Sequence, residues 1–295
     1  MAILTYREAI AGALREELAR DDRVFVIGER VGYSGGAGDV TAAMLAEFGE
    51  RRIRDTPRLD LSLVGAAIGA AMGGLVPIVA MRDAALAIAA GEKLRRHPRL
   101  PIVIRAPLGG DDARDQTEYG GAGWIHGGGT TPRVLAPASP SDAAAMLKAA
   151  IRADGPCVIF EDRRLYETRG KAANATNECP ALEGARIVRI GADLTIVAYA
   201  GAVQQAAAAS EILAAHQIAA EVIDLRALAP LDCAALAASI AKTGRAIIAS
   251  AGLAGADVEI ASIIHHCAFA ALRTPLETVT PIGAGDIVRV AMRRG

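Results

Sequence analysis

Aromatic residues are scarce in this chain. Phe, Trp and Tyr make up 3% of 295 residues while 52% are hydrophobic, so core volume must come from Ala, Val, Ile and Leu in closely spaced elements. An excess of either charge is also missing. The 32 basic and 33 acidic residues leave a formal charge of -1, with no long basic run to neutralise a phosphate backbone, which argues against nucleic acid as a partner. The cysteines Cys157, Cys179, Cys233 and Cys267 lie far apart, without a CxxC pair, and no His stands at zinc-ligand spacing. That pattern predicts reduced thiols and no bound metal. The N-terminus lacks a basic stretch followed by an apolar one, so no signal peptide is expected and a cytoplasmic chain is. Leu61 to Met81 carries no charge, but Gly73, Gly74 and Pro77 interrupt it. It predicts a buried helix turning into a buried strand, with no membrane span.

Thr5 to Arg20 places Tyr6, Ala9, Ile10, Ala13, Leu14 and Leu18 on one helical face, and Thr5 with Glu8 fits a capping box. Short apolar runs follow at Arg23–Gly28, Val76–Ala80, Ile102–Arg105, Arg133–Ala136 and Cys157–Glu161. Helical patterns lie between several of them, so a parallel sheet with helices on its faces is expected. Tyr166 to Leu182 has little apolar content and holds Gly170 and Pro180, which marks a linker. Beyond it the alternation resumes, with strands at 194–199, 220–224 and 246–250 and helices at 203–216, 232–242 and 255–271. The fold class expected is α/β in two domains, each a mainly parallel sheet flanked by helices: residues 1–170, a linker at 171–182, and residues 183–295.

The sharpest local pattern is DLSLVGAAIGAAMGG from Asp60 to Gly74, with Gly65, Gly69 and Gly73 four residues apart. On a helix this spacing makes a stripe without side chains, suited to close packing of another backbone. Asp60 stands just before that helix, as its N-cap or as a carboxylate aimed at a ligand. Glu29 ends the first strand and either reaches a ligand or orients a loop.

These residues resemble a known family. Asp60, Gly65 and Gly69 are similar to the E(x4)GΦxxGQ signature of thiamine diphosphate enzymes. Gly28-Glu29-Arg30-Val31-Gly32 resembles the GEDVG of 2-oxoacid dehydrogenase E1 beta subunits, Asp55 to Asp60 their DTPxxE, and Ile102 to Gly110 their VIRxPxGG. The segments 193–203, 222–232 and 242–248 resemble the family's C-terminal domain. The likeness implies a transketolase-like pyrimidine-binding domain followed by a transketolase C-terminal domain, in a divergent member.

The resemblance also implies chemistry. In the family a Glu hydrogen-bonds the aminopyrimidine of thiamine diphosphate and favours its imino tautomer; Asp60, one methylene shorter, occupies that position. Glu29 and Asp83 fall where the cofactor ring is approached, Asp83 in a segment that is aromatic in the family. A substrate-handling His of the family corresponds to Glu118, and His126 follows eight residues later in the glycine-rich stretch 120–129. The GDG motif that holds the diphosphate and Mg2+ is absent from this chain. An alpha-type E1 or transketolase N-terminal subunit is therefore implied as partner, in a heterotetramer of two alpha and two beta chains, with an acyl-carrier or lipoyl protein as a further partner if the acceptor is of that kind. The activity implied is transfer of an acyl or two-carbon unit from a 2-oxoacid or ketose. A non-catalytic scaffold or regulatory subunit that keeps the fold and partner surface is the alternative.

Overall fold

The computed structural model describes residues 3–59, 61–82, 84–109, 132–171, 184–280 and 283–293. Its first half contains β1 (Ile3–Thr5), α1 (Tyr6–Arg20), β2 (Val24–Glu29), α2 (Met44–Phe48), β3 (Ile53–Thr56), α3 (Ser62–Met72), β4 (Val76–Ala80), α4 (Ala84–Leu94), β5 (Val103–Leu108), β6 (Arg133–Leu135), α5 (Pro140–Ile151), β7 (Cys157–Asp162) and β8 (Arg169–Lys171). Its second half contains β9 (Arg186–Arg189), β10 (Leu194–Ala198), α6 (Ala202–Ala215), β11 (Ala220–Asp224), β12 (Ala227–Ala229), α7 (Cys233–Thr243), β13 (Ala246–Ala249), α8 (Ala256–Ala268), β14 (Glu277–Val279) and α9 (Ala284–Ala291). The expected linker at 171–182 lies almost wholly outside the described residues.

Local chemistry accounts for the helix that opens the fold. Thr5 Oγ1 accepts the Glu8 N–H at 3.1 Å while the Glu8 carboxylate accepts the Thr5 N–H at 2.7 Å, so two otherwise unpaired donors are satisfied where α1 begins. Its buried face carries Tyr6, Ile10, Leu14 and Leu18 and lies against α5. Glu17, fully buried on that face, is held by Arg152 across the helix pair at 2.5 Å.

The larger sheet has seven strands in the order β12-β6-β7-β5-β4-β2-β3. Its pairings are parallel except where β12 meets β6. The second sheet has five strands, β14-β13-β10-β11-β9, parallel apart from β9. Both are flanked by helices, so the two-part α/β architecture is present. The strands β4, β5, β7, β10, β11 and β13 are buried almost throughout, as continuous apolar runs covered on both faces require.

The halves are joined by more than a linker. Strand β12 comes from the second half of the chain yet completes the first half's sheet. The Ala136 N–H donates to the Arg226 carbonyl at 2.8 Å. Asp162, at the end of β7, accepts the Gly201 N–H at 2.9 Å, and Arg164 donates to the Ala251 carbonyl at 3.0 Å. One apolar cluster runs from Leu63 and Ile104 through Phe160 and Tyr199 to Ile248 and Ile287.

One expectation needs adjusting. Helix α3 is only half buried: Leu63, Val64, Ala67 and Ala71 face the core, while a Cβ added at Gly65 or Gly69 would meet nothing within 4 Å. The glycine stripe therefore has no packing partner among the described residues. The described thiols are free, with Cys157 buried and Cys233 exposed. Burial pushes the Cys157 thiol up to about 12, which makes it a poor nucleophile. Cys179 lies outside the described residues. No described helix is long and apolar enough to cross a membrane.

Candidate active site

Connectivity singles out one place on the first sheet. From β2 the chain moves to β3 on one side, then crosses back through α3 to β4 on the other. At such a reversal the connections after adjacent strands leave in opposite directions, and a crevice opens beyond their carboxyl ends. Those ends are Glu29 and Ala80.

A cleft of about 230 Å³ lies there, lined by Glu29, Arg30, Ser34, Gly36, Ala80, Met81, Arg82 and Arg163. A narrower recess continues from Glu29 toward Thr56, Pro57, Leu59, Leu63 and Leu86. Another descends past Thr41 to Arg105 and Glu161. Ala80 and Met81 are common to all three. The result is an apolar shelf with a carboxylate on one side and guanidinium groups on its rim, the mixture typical of small-molecule sites.

Close backbone approach shapes the cleft. A Cβ at Gly28 would lie 2.6 Å from the Ala80 carbonyl oxygen and 3.0 Å from the Ala80 Cβ, so only glycine fits between β2 and β4 there. The loop after β2 turns back on itself. Arg30 has φ +57°, an uncommon conformation outside glycine, and its carbonyl accepts the Ser34 and Gly36 N–H groups at 3.1 and 3.0 Å. Asp55 of β3 pins the same loop, accepting from Gly32 N at 2.7 Å and Tyr33 N at 3.0 Å. The Thr41 hydroxyl donates to the Val31 carbonyl at 2.6 Å.

Beneath the cleft sits a buried ion pair. Arg105 of β5 makes two parallel hydrogen bonds to Glu161 of β7, at 2.6 and 2.8 Å, and the Tyr166 hydroxyl donates to the same carboxylate at 3.2 Å. Burial pulls the Arg105 guanidinium down, but Glu161 more than offsets it and leaves it above its ordinary value. Burial and then Glu161 push the Tyr166 phenol up, so it stays a protonated donor. A Cβ at Gly38 would meet the Tyr166 ring at 2.3 Å, which locks the loop over this floor.

Of the residues singled out from sequence, Glu29 lines both the cleft and its apolar recess. Asp60, Asp83, Glu118 and His126 lie outside the described residues. Described neighbours of two of them do reach the cleft: Leu59 and Leu63 near Asp60, and Arg82 beside Asp83. Sequence reasoning missed the Arg105–Glu161 floor and the rim residues Arg30 and Arg163. The floor had a signal, one opposite charge inside each of two apolar runs, whereas rim residues on loops carry no periodicity.

The shelf is compatible with a flat heterocycle. Ala80, Met81, Leu63 and Leu86 offer apolar contact on one side, with the Glu29 carboxylate in the same recess. Among the described residues no cluster of three or more His, Cys, Asp or Glu could hold a metal ion.

Residues 3–169 match the transketolase pyrimidine-binding domain family, and residues 183–288 match the transketolase C-terminal domain family. The chain is 36% identical over 284 residues to the pyruvate dehydrogenase E1 component subunit beta of Leifsonia xyli, covering 91% of this chain and 83% of that one. It is 34% identical over 283 residues to the 2-oxoisovalerate dehydrogenase subunit beta of Bacillus subtilis, covering 91% and 86%. Among solved structures, a split gene transketolase described as an inactive beta4 tetramer superimposes with a TM-score of 0.72, at 22% identity, covering 97% of this chain and 96% of that one.

Proposed function

The chain belongs to the family that joins a transketolase pyrimidine-binding domain to a transketolase C-terminal domain, and from that premise we propose that it is the beta-type half of a cytoplasmic thiamine diphosphate enzyme. An alpha-type chain completes it in a heterotetramer, and the complex transfers an acyl or two-carbon unit from a 2-oxoacid or ketose. The observation that carries this reading is the cleft at the β2/β4 reversal, where a carboxylate and an apolar shelf share one recess.

When bound, thiamine diphosphate supplies the carbanion chemistry that cleaves the bond beside a carbonyl. This chain's residues supply contact, orientation and proton placement. Met81 and Leu86 give the ring a dry surface in place of aromatic stacking. Asp60 holds the proton at the aminopyrimidine N1', and its shorter side chain makes the relay sensitive to displacements of about 1 Å. Glu29, and Asp83 by the family resemblance, would orient the ring. Glu118 and His126 place or accept protons on the substrate. The diphosphate and Mg2+ fall to the partner. The open side of α3, with no Cβ at Gly65 or Gly69, suits close approach by another chain.

Calorimetric titration of thiamine diphosphate and Mg2+ into the complex with the alpha-type chain tests this reading. Uptake is expected, with loss of turnover in Asp60→Ala and a gain in Asp60→Glu. A complex that assembles without taking up the cofactor is the non-catalytic scaffold, and the enzyme reading then falls.

A further inference from the structure

Two cysteines meet in the second half of the chain, and neither lines the cleft of the first sheet. Cys233 opens α7 and is exposed, while Cys267 stands half-buried in the last turn of α8. Strand β13 separates the two helices along the chain, so no sequence spacing announces the pair; packing of α7 against α8 creates it. The Cys267 thiol is in side-chain hydrogen-bonding contact with the Cys233 thiol. It also lies 3.9 Å from the Ile264 carbonyl oxygen of its own helix.

Both helices are anchored. Asp232 caps α7, its carboxylate accepting the Ala235 N–H at 3.0 Å and the Ala185 N–H at 3.1 Å, and Leu236 and Ile240 seat that helix in the core. Ile260 and Ile264 do the same for α8. Thiols carried on anchored helices keep their separation, as the narrow geometry of a disulfide demands. Their environments differ. Cys233 is open to solvent, where a small oxidant reaches it. Burial first, and then Cys233 by charge and by its hydrogen bond, push the Cys267 thiol up, so it stays a thiol while its neighbour reacts. Cys157 offers a contrast: it is buried in β7, its thiol pushed up to about 12, and the polar groups beside it are the Gly155 carbonyl and Arg133 rather than another thiol.

We infer that Cys233 and Cys267 form a redox-active pair, a modification site at which a hydroperoxide closes a disulfide and a small thiol reopens it. The Cys233 thiolate attacks the peroxide, gaining a sulfur–oxygen bond as the oxygen–oxygen bond breaks and an alcohol or water leaves. The Cys267 sulfur then attacks that sulfenic sulfur; the sulfur–sulfur bond forms, and water leaves with the oxygen and the Cys267 proton. The pair loses two hydrogens and two electrons, and the peroxide takes them. Two equivalents of a thiol such as glutathione reverse the step by exchange and leave as their own disulfide. The closed form ties α7, β13 and α8 into one ring, which constrains the unfolded chain. The inference is independent of the enzyme reading.

The test uses the full chain, reduced, treated with hydrogen peroxide, alkylated and mapped by mass spectrometry. A peptide joining Cys233 to Cys267 is expected, separated again by glutathione. Cys267→Ser should halt the sequence at the Cys233 sulfenic acid, trapped by dimedone, and Cys179→Ser should retain the bridge. Cys233→Ser should lose it. Failure to form the bridge overturns the pair, whether Cys233 stays a thiol, joins Cys179 or a second copy of the chain, or passes on to the sulfinic acid. A second readout does not depend on mapping. The urea midpoint of the oxidised chain should stand above that of the reduced chain, and Cys233→Ser and Cys267→Ser should each lose the shift; a shift that survives in either variant overturns the assignment.

Discussion

The two sheets are wired alike and end differently. In the first, the chain runs from β2 to β3 and back across to β4; in the second, from β10 to β11 and back across to β13. Each therefore has a reversal point with a crevice at its carboxyl edge. In the first sheet that crevice is open and holds charged groups on its rim. In the second it is filled. The fully buried ring of Tyr199 sits at the end of β10, its hydroxyl donating to Asp257 at 3.2 Å and accepting the Leu253 N–H at 3.3 Å, while Ser250 lies 3.3 Å away. The same local reversal occurs in both sheets; the side chain at one strand end decides whether the crevice stays open or is filled by core.

The largest expected effect breaks the filled side. Tyr199→Ala should destabilise the fold by about 3–5 kcal/mol, as removal of a buried aromatic does, measured as a lowered urea midpoint at unchanged m-value. Glu161→Gln tests the floor of the open side. It leaves Arg105 buried with an uncompensated charge and should cost about 3 kcal/mol or somewhat more, by the same measurement. A cost below about 1 kcal/mol in either case would mean that the corresponding strand end contributes little.

A pH titration sharpens the comparison where the halves meet. Asp224, at the end of β11, is pushed up to about 6 by burial, an effect Asp142 adds to and Arg186 and Arg226 oppose. Its unfolded value is near 3.8, so the folded state binds the extra proton. Stability is therefore greatest below about pH 4 for this group and falls as pH rises through about 6. Asp224→Asn should flatten that slope in denaturation curves taken between those limits, and an unchanged slope would remove Asp224 as its source.

Smaller effects come from the shape of the open cleft. Gly28→Ala forces β2 and β4 apart, since its Cβ would stand 2.6 Å from a backbone oxygen, and should cost about 1–3 kcal/mol. Gly65→Ala, on the outward face of α3, should stabilise the isolated chain by roughly 0.5–1 kcal/mol and weaken any complex whose partner needs that stripe. Thermal midpoints with and without the alpha-type chain separate the two.

Most of the buried strands were legible because each is a short apolar run bounded by glycine, proline or charge. The runs at Val76–Ala80 and Ala220–Asp224 coincide with β4 and β11. The edges were not legible. Strand β9 exposes Ile187 and Val188, and β14 is three residues long, so neither shows the pattern of a buried element. Strand β12 escaped notice because nothing in its Ala-Leu-Ala sequence names the sheet it joins. At the site, Glu29 could be placed from its position at a strand end. Arg30 and Arg163 could not, because their common cleft arises from the reversal between strands far apart in sequence. The glycine spacing of α3 was plain, but spacing alone does not distinguish an inward stripe from an outward one.

Strand β12 also limits how this protein can be dissected. A gene cut between the two matched domains would leave β6 with a bare row of amide and carbonyl groups, the kind of margin onto which other chains add. The first half made alone should be prone to sticking to itself, and supplying the second half in trans should restore its solubility only if residues 227–229 travel with it.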